Sequence, residues 1–132
     1  MNEQGSICVI DDDEAVRLSM SMSLQAAGYT VDEYESAQRF LDALPALSPA
    51  CLVIDLGLPV IDGRGILEKL RERGVQLPTI MVTGSAGIAK ADRERFPEIV
   101  DCMEKPFRLS DLTARITELI GEPGGVRPVS AR

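Results

Sequence analysis

Apolar residues recur in five short runs, at positions 7–10, 30–34, 51–54, 79–82 and 99–103, each followed by a segment with helical spacing. Three of the runs are continuously apolar, as strands buried on both faces of a parallel sheet are. The second run mixes apolar with charged residues and suits an edge strand. The first helical segment, 14–27, carries Val16, Met20, Leu24 and Ala27 and stops at Gly28, with Asp13 and Glu14 placed to cap it and complement its dipole. Ser36 is placed to cap a second, short helix that holds Phe40, Leu41 and Leu44 and ends before Pro45. A third follows Gly63 with Ile66, Leu67 and Leu70 on one side and ends at Gly74. A fourth, 86–95, is mostly polar, with Pro97 just beyond it. The fifth begins near Ser110 and repeats Leu109, Leu112, Ile116, Leu119 and Ile120.

Strand and helix in alternation predict an α/β protein with a doubly wound parallel sheet, because parallel strands need crossovers. Ligands on such sheets bind beyond the C-terminal strand ends, where the strand order reverses. The folded domain is expected over 1–120. Residues 121–132 hold Gly121, Pro123, Gly124, Gly125 and Pro128 and read as a flexible tail or linker.

The chain has 132 residues, 45% of them hydrophobic, which suffices for one core without disulfides or a structural metal. Its 21 acidic and 14 basic residues give a net charge of -7, which speaks against nucleic-acid binding through this domain. No apolar run approaches the roughly 20 residues that span a bilayer, and positions 1–5 lack the basic start and apolar core of a signal peptide. A cytoplasmic location without membrane attachment is expected. Cys8, Cys51 and Cys102 are widely spaced within apolar runs and read as buried, reduced thiols, not as a zinc site. The absence of histidine excludes His-dependent triads and most zinc enzymes.

Chemistry gathers at the strand ends. Asp11 and Asp12 follow the first strand and Asp55 follows the third. Carboxylates that close repel unless a cation joins them, and hard oxygen donors without His or thiolate point to Mg²⁺. The fourth strand delivers Thr83 and the fifth Lys105. Taken singly, each is an ordinary turn or surface residue. Together, a hydroxyl and an ammonium beside a magnesium-binding carboxylate are the parts phosphoryl transfer needs.

With these motifs in order, Val9-Ile10-Asp11-Asp12-Asp13, Val53-Ile54-Asp55, Leu58-Pro59 with Asp62-Gly63, Thr83-Gly84 and Glu104-Lys105-Pro106-Phe107, the chain resembles the receiver domains of two-component response regulators over 7–120. It is especially similar to receivers of the nitrogen-fixation type of transcriptional regulator. The resemblance implies a flavodoxin-like sheet of strand order 2-1-3-4-5 and a signalling phosphoacceptor that catalyses only its own phosphorylation and dephosphorylation. Asp55 would attack the phosphorus of a phosphohistidine on a histidine kinase or phosphotransfer protein. Asp12 and Asp55 would bind Mg²⁺ directly, Asp11 through a water, and the Gly57 backbone carbonyl would complete the protein ligands. Lys105 would pair with Asp55 and then with the phosphoryl group, Thr83 would hydrogen-bond that group, and the Lys105-Pro106 bond is expected to be cis. A downstream effector protein or domain would read the result, and a dimer formed on phosphorylation fits the same picture.

The match thins at three places. Cys102 stands where relatives usually carry an aromatic residue coupled to the switch hydroxyl. Phe96-Pro97-Glu98 replaces a usual Gly-Ala turn, which predicts an unusual surface over 86–100. Gly57 and Ser85 offer no acid or amide to position a water, so loss of the phosphoryl group is expected not to be exceptionally fast. Two other readings stay open: a receiver that binds its partner without phosphorylation, and an Asp-nucleophile phosphatase. The phosphatase expects a second acid two residues after Asp55, and that position is Gly57.

Overall fold

The computed structural model describes residues 5–46, 48–84 and 87–123. Strands β1 (Ser6–Ile10), β2 (Val31–Tyr34), β3 (Pro49–Asp55), β4 (Thr79–Thr83) and β5 (Ile99–Glu104) alternate with helices α1 (Glu14–Ala26), α2 (Ala37–Ala43), α3 (Gly63–Glu72), α4 (Lys90–Arg95) and α5 (Leu109–Ile120). A single 3₁₀ turn, Leu44–Ala46, follows α2. All strand pairs are parallel, in the order β2-β1-β3-β4-β5. This is the doubly wound sheet expected, with the mixed second run at its edge.

Strand alternation sends successive residues to opposite faces, and each face has its own core. Cys8, Ile10, Leu52, Ile54 and Met81 pack against Phe40 and Leu41 of α2, Ile66, Leu67 and Leu70 of α3, and Phe96. Ile7, Val9, Val53, Ile80 and Val82 meet Met20 and Leu24 of α1 and Leu112 and Ile116 of α5. The expected caps form: Asp13 accepts from the Ala15 and Val16 amides, and Ser36 accepts from Arg39. Cys8 and Cys51 are fully buried, as expected. Cys102 is not. It is only partly buried, because β5 is the edge strand on its side of the sheet.

The fourth helix differs from the sequence expectation. It begins at Lys90, not at 86, and none of its residues is buried. Ion pairs to α3 hold it: Arg64 to Asp92 at 2.7 Å and Arg95 to Glu68 at 2.6 Å. Beyond it Phe96 is completely buried with the Arg71 and Arg95 guanidinium groups each 4.9 Å from its ring, and Arg71 pairs with Glu98 at 3.1 Å. The Phe96-Pro97-Glu98 departure is thus an anchor for the α4–β5 connection. After α5 the Gly121 carbonyl accepts the Tyr29 hydroxyl at 2.7 Å. Residues 124–132, most of the predicted tail, lie outside the described residues, as does Ser85. No described helix is long and apolar enough to cross a membrane.

Candidate functional site

The register brings the predicted residues to one edge. Ile10 pairs with Ile54, so Asp11 and Asp55 leave neighbouring strands side by side, and Thr83 ends β4 one step past the Asp55–Val82 pair. One carboxylate oxygen from each of Asp11, Asp12 and Asp55 lies within 4.8 Å of the others. Lys105 reaches in from beyond β5, its Nζ 3.2 Å from Asp11 Oδ2 and 3.6 Å from Asp55 Oδ2. Its backbone amide donates to the Thr83 carbonyl at 2.7 Å, and the Lys105-Pro106 bond is cis as expected.

Local hydrogen bonds aim the acids. The Asp13 amide donates to Asp11 Oδ1 at 2.9 Å, and the Gly57 amide donates to Asp55 Oδ1 at 3.0 Å. Asp11 is completely buried, and its Oδ2 is approached by the Lys105 ammonium at 3.2 Å. Burial pushes the Asp11 carboxyl above its usual range and the Asp55 charge adds to this, while the Asp13 amide and Lys105 oppose it. Burial pulls the Lys105 ammonium down, but Asp11 and Asp55 together leave it above its ordinary value. A cluster of three carboxylates with a single ammonium beside it, one of the acids fully buried and with its pKa raised, suits a hard divalent cation that accepts oxygen ligands and keeps waters. The residues present therefore fit Mg²⁺.

The loop from Asp55 to α3 explains the Leu58-Pro59 and Asp62-Gly63 motifs. Leu58 is buried, and Val60 sits at φ 68 at the centre of a γ-turn closed by the Ile61 amide and the Pro59 carbonyl at 2.8 Å. Asp62 caps α3 by accepting from the Gly65 amide at 2.9 Å. A Cβ at Gly63 would lie 2.7 Å from Met81 Sδ and 3.1 Å from Leu56 Cα, so only glycine lets the helix start this close to β4.

Thr83 is buried, and its hydroxyl acts on the Cys102 thiol, favouring the thiolate. The thiol therefore stands where the resemblance places a ring. Burial raises its pKa, against the pull of Arg93 and the Thr83 hydroxyl.

Two residues of this region escaped the sequence reading. Arg17, only 13% exposed, donates to the Asp11 carbonyl at 2.9 Å and pairs with Glu33 at 3.4 Å, fixing the turn that carries Asp11 and Asp12. Its place one turn after the Asp13 cap was the available signal. Arg64 lines a cavity of about 340 Å³ together with Asp55, Gly57, Asp62, Thr83 and Gly87. It follows the Asp62-Gly63 motif directly, but its partner Asp92 is remote in sequence.

Comparison with known proteins agrees with this geometry. The family model described as "Response regulator receiver domain" matches residues 7–117. The transcriptional regulatory protein FixJ of Bradyrhizobium diazoefficiens is 39% identical over 120 residues, 91% of this chain and 58% of that protein. FixJ of Azorhizobium caulinodans is 35% identical, over 92% of this chain and 57% of its own length. Among solved structures, FixJ-N superposes with a TM-score of 0.76 at 29% identity, covering 86% of this chain and 91% of that one. A CheY-like receiver domain from Methanospirillum hungatei gives 0.74 at 28% identity, covering 86% and 90%. The chain spans little more than half the length of these FixJ relatives.

Proposed function

Because the chain belongs to the response regulator receiver family, we propose that it is a Mg²⁺-dependent phosphoacceptor switch whose nucleophile is Asp55. The observation that carries this reading is the placement of Asp55 at the end of β3, beside Asp11 and Asp12 and 3.6 Å from the Lys105 ammonium. A carboxylate oxygen of Asp55 attacks the phosphorus of a phosphohistidine on a histidine kinase or phosphotransfer protein. The new P–O bond forms as the P–N bond breaks, and the imidazole nitrogen leaves with the bond's electron pair. The Gly57 amide, bonded to Oδ1, holds the carboxylate, and the other oxygen lies 3.6 Å from the Lys105 ammonium.

Asp12 and Asp55 would hold Mg²⁺ directly, Asp11 through a water, with the Gly57 carbonyl as a further ligand. When bound, the ion neutralises charge on the transferring oxygens. Lys105 exchanges the Asp55 carboxylate for a phosphoryl oxygen, which its two-acid position permits. Thr83 leaves the Cys102 thiol and donates its hydroxyl to the same group. The acquired charge then shifts an existing equilibrium of the α4–β5 surface towards a state that a downstream effector protein or domain, or a second copy of the chain, recognises. The reading places the domain in the cytoplasm, with no contact of its own to nucleic acid, in keeping with a net charge of -7.

Intact-mass analysis after incubation with acetyl phosphate tests the proposal, with and without Mg²⁺ and beside Asp55→Asn. A single phosphoryl adduct is expected that requires Mg²⁺ and is absent from the variant. No adduct, where a control receiver is labelled, overturns the phosphoacceptor reading and leaves partner binding without phosphorylation. Steady phosphate release over many turnovers that needs Asp55, with no adduct accumulating, would return the phosphatase reading.

A further inference from the structure

We propose that Arg64 is a ligand for the phosphoryl group on Asp55, and that it takes up this role by releasing Asp92 of α4. The inference rests on the phosphoacceptor reading above and assigns it a residue that none of the family motifs contains.

Arg64 stands in the first turn of α3 and lines the same cavity as Asp55, Gly57 and Thr83. Its guanidinium is shared between two acids, Asp92 Oδ2 at 2.7 Å and Asp62 Oδ2 at 3.4 Å. The hydrogen bond to Asp92 is the main cause of its raised pKa. The side chain is 42% exposed, so it sits at the cavity mouth and can turn without displacing core residues. A guanidinium presents a planar fork of donors that fits phosphate oxygens in pairs. A phosphoryl group carries a charge of roughly −1.5 to −2, about one more than the Asp55 carboxylate whose charge it replaces. Asp92 offers a single negative charge from the far side, so the fork gains by turning inward.

The consequence falls on α4. With none of its residues buried, that helix depends on its ion pairs to α3, and the Arg64–Asp92 pair is the one nearer its N-terminal end. Phe96 and the Arg71–Glu98 pair anchor the other end. Withdrawal of Arg64 therefore frees the start of α4 while its end stays pinned. Charge exchange can in this way move the surface in a chain that has Cys102 where a ring would otherwise respond to Thr83.

The test uses the whole chain with saturating Mg²⁺ and beryllofluoride, a tetrahedral anion that mimics the phosphoryl group. Binding is followed by calorimetry and α4 by amide hydrogen exchange. Arg64→Ala should weaken beryllofluoride binding about tenfold, the worth of one charge-assisted hydrogen bond, while its Mg²⁺ affinity stays that of the wild type. Asp92→Asn should tighten beryllofluoride binding several-fold, because the guanidinium no longer has to leave a carboxylate. Opposite signs are the signature: a residue that only latches α4 would give both variants the same sign, and that result overturns the proposal. Unchanged binding by Arg64→Ala, with Asp55-dependent binding intact, overturns it alone. A wild-type chain that takes up neither beryllofluoride nor a phosphoryl group overturns the phosphoacceptor reading with it.

Discussion

Asp11 is held at a cost to the fold, and removing its charge should stabilise the protein when Mg²⁺ is withheld. Asp11 is completely buried, and one oxygen from each of Asp11, Asp12 and Asp55 lies within 4.8 Å of the others. At that separation and an effective dielectric of about 20, each like-charge pair costs about 3.5 kcal/mol. On the same scale Lys105, 3.2 Å from Asp11, returns about 5 kcal/mol. The Asp13 amide adds about 2 kcal/mol as a hydrogen bond to a charged group. Taking the carboxylate out of water costs several kcal/mol more. The balance is unfavourable to the charge, in agreement with the raised Asp11 pKa. Asp11→Asn keeps the acceptor for the Asp13 amide, and Lys105 keeps Asp55. We expect a gain of about 1–2 kcal/mol in EDTA, or roughly 3–8 °C in the melting temperature of a chain this size. Magnesium should reverse the advantage: at a hundredfold excess over its Kd it stabilises the wild type by about 2.7 kcal/mol, and the variant by less. Thermal melts of both proteins in EDTA and in Mg²⁺ decide the matter. A variant that melts at or below the wild type in EDTA would refute the view that this acid opposes folding.

The pKa values of Cys8 and Cys51 are pushed up to about 12 from 9.0, chiefly by burial. The native state thus keeps protons that the unfolded chain loses, and stability should fall as pH rises past 9, by about 1.4 kcal/mol per thiol at pH 10; a flat urea midpoint between pH 8 and 10 in the Cys8→Ala, Cys51→Ala reference and an equally flat one in the wild type would contradict this. Val60 is fully exposed at φ 68, so Val60→Gly should raise stability by about 1 kcal/mol by relieving a β-branched side chain of left-handed backbone; an unchanged or lower urea midpoint would show that the loop holds no such strain. Phe96→Ala should cost about 3–4 kcal/mol and speed amide exchange in α4 before the rest of the sheet, because the ring between Arg71 and Arg95 anchors that helix; uniform acceleration across all helices would place the anchor elsewhere.

The sheet and the acid cluster were legible in the sequence for a physical reason. Strands buried on both faces must be short continuous apolar runs, and residues just past such runs lie together at the C-terminal edge of a parallel sheet. Asp11, Asp12, Asp55, Thr83 and Lys105 could therefore be gathered without coordinates. The edge position of β2 showed in Asp32 and Glu33 within its run. The fourth helix could not be read in the same way. Its ties are ion pairs to Arg64 and Glu68, far away in sequence, and no apolar period marks a buried face because it has none. Cys102 misled by its apolar neighbours: β5 is an edge strand, and the thiol is half covered where the other two are enclosed.

The acid cluster and the α4 helix share one property, that charge decides their state. Asp11 stays unfavourable even with the Lys105 ammonium 3.2 Å from its Oδ2, so on the proposed reading a divalent cation would relieve it. The α4 helix is held by charge where its neighbours are held by apolar burial, so on the proposal above the roughly one further negative charge that phosphorylation of Asp55 adds acts on it through Arg64, whereas the same change could not dislodge α3, whose Ile66, Leu67 and Leu70 are buried. Surface ion pairs are each worth about 1 kcal/mol or less, which is the scale on which a modest population shift needs to operate. Replacing the ring at position 102 by a thiol therefore need not uncouple the site from the surface. On the proposal above the coupling runs along the Arg64 side of the cavity, and raising the ionic strength should weaken it.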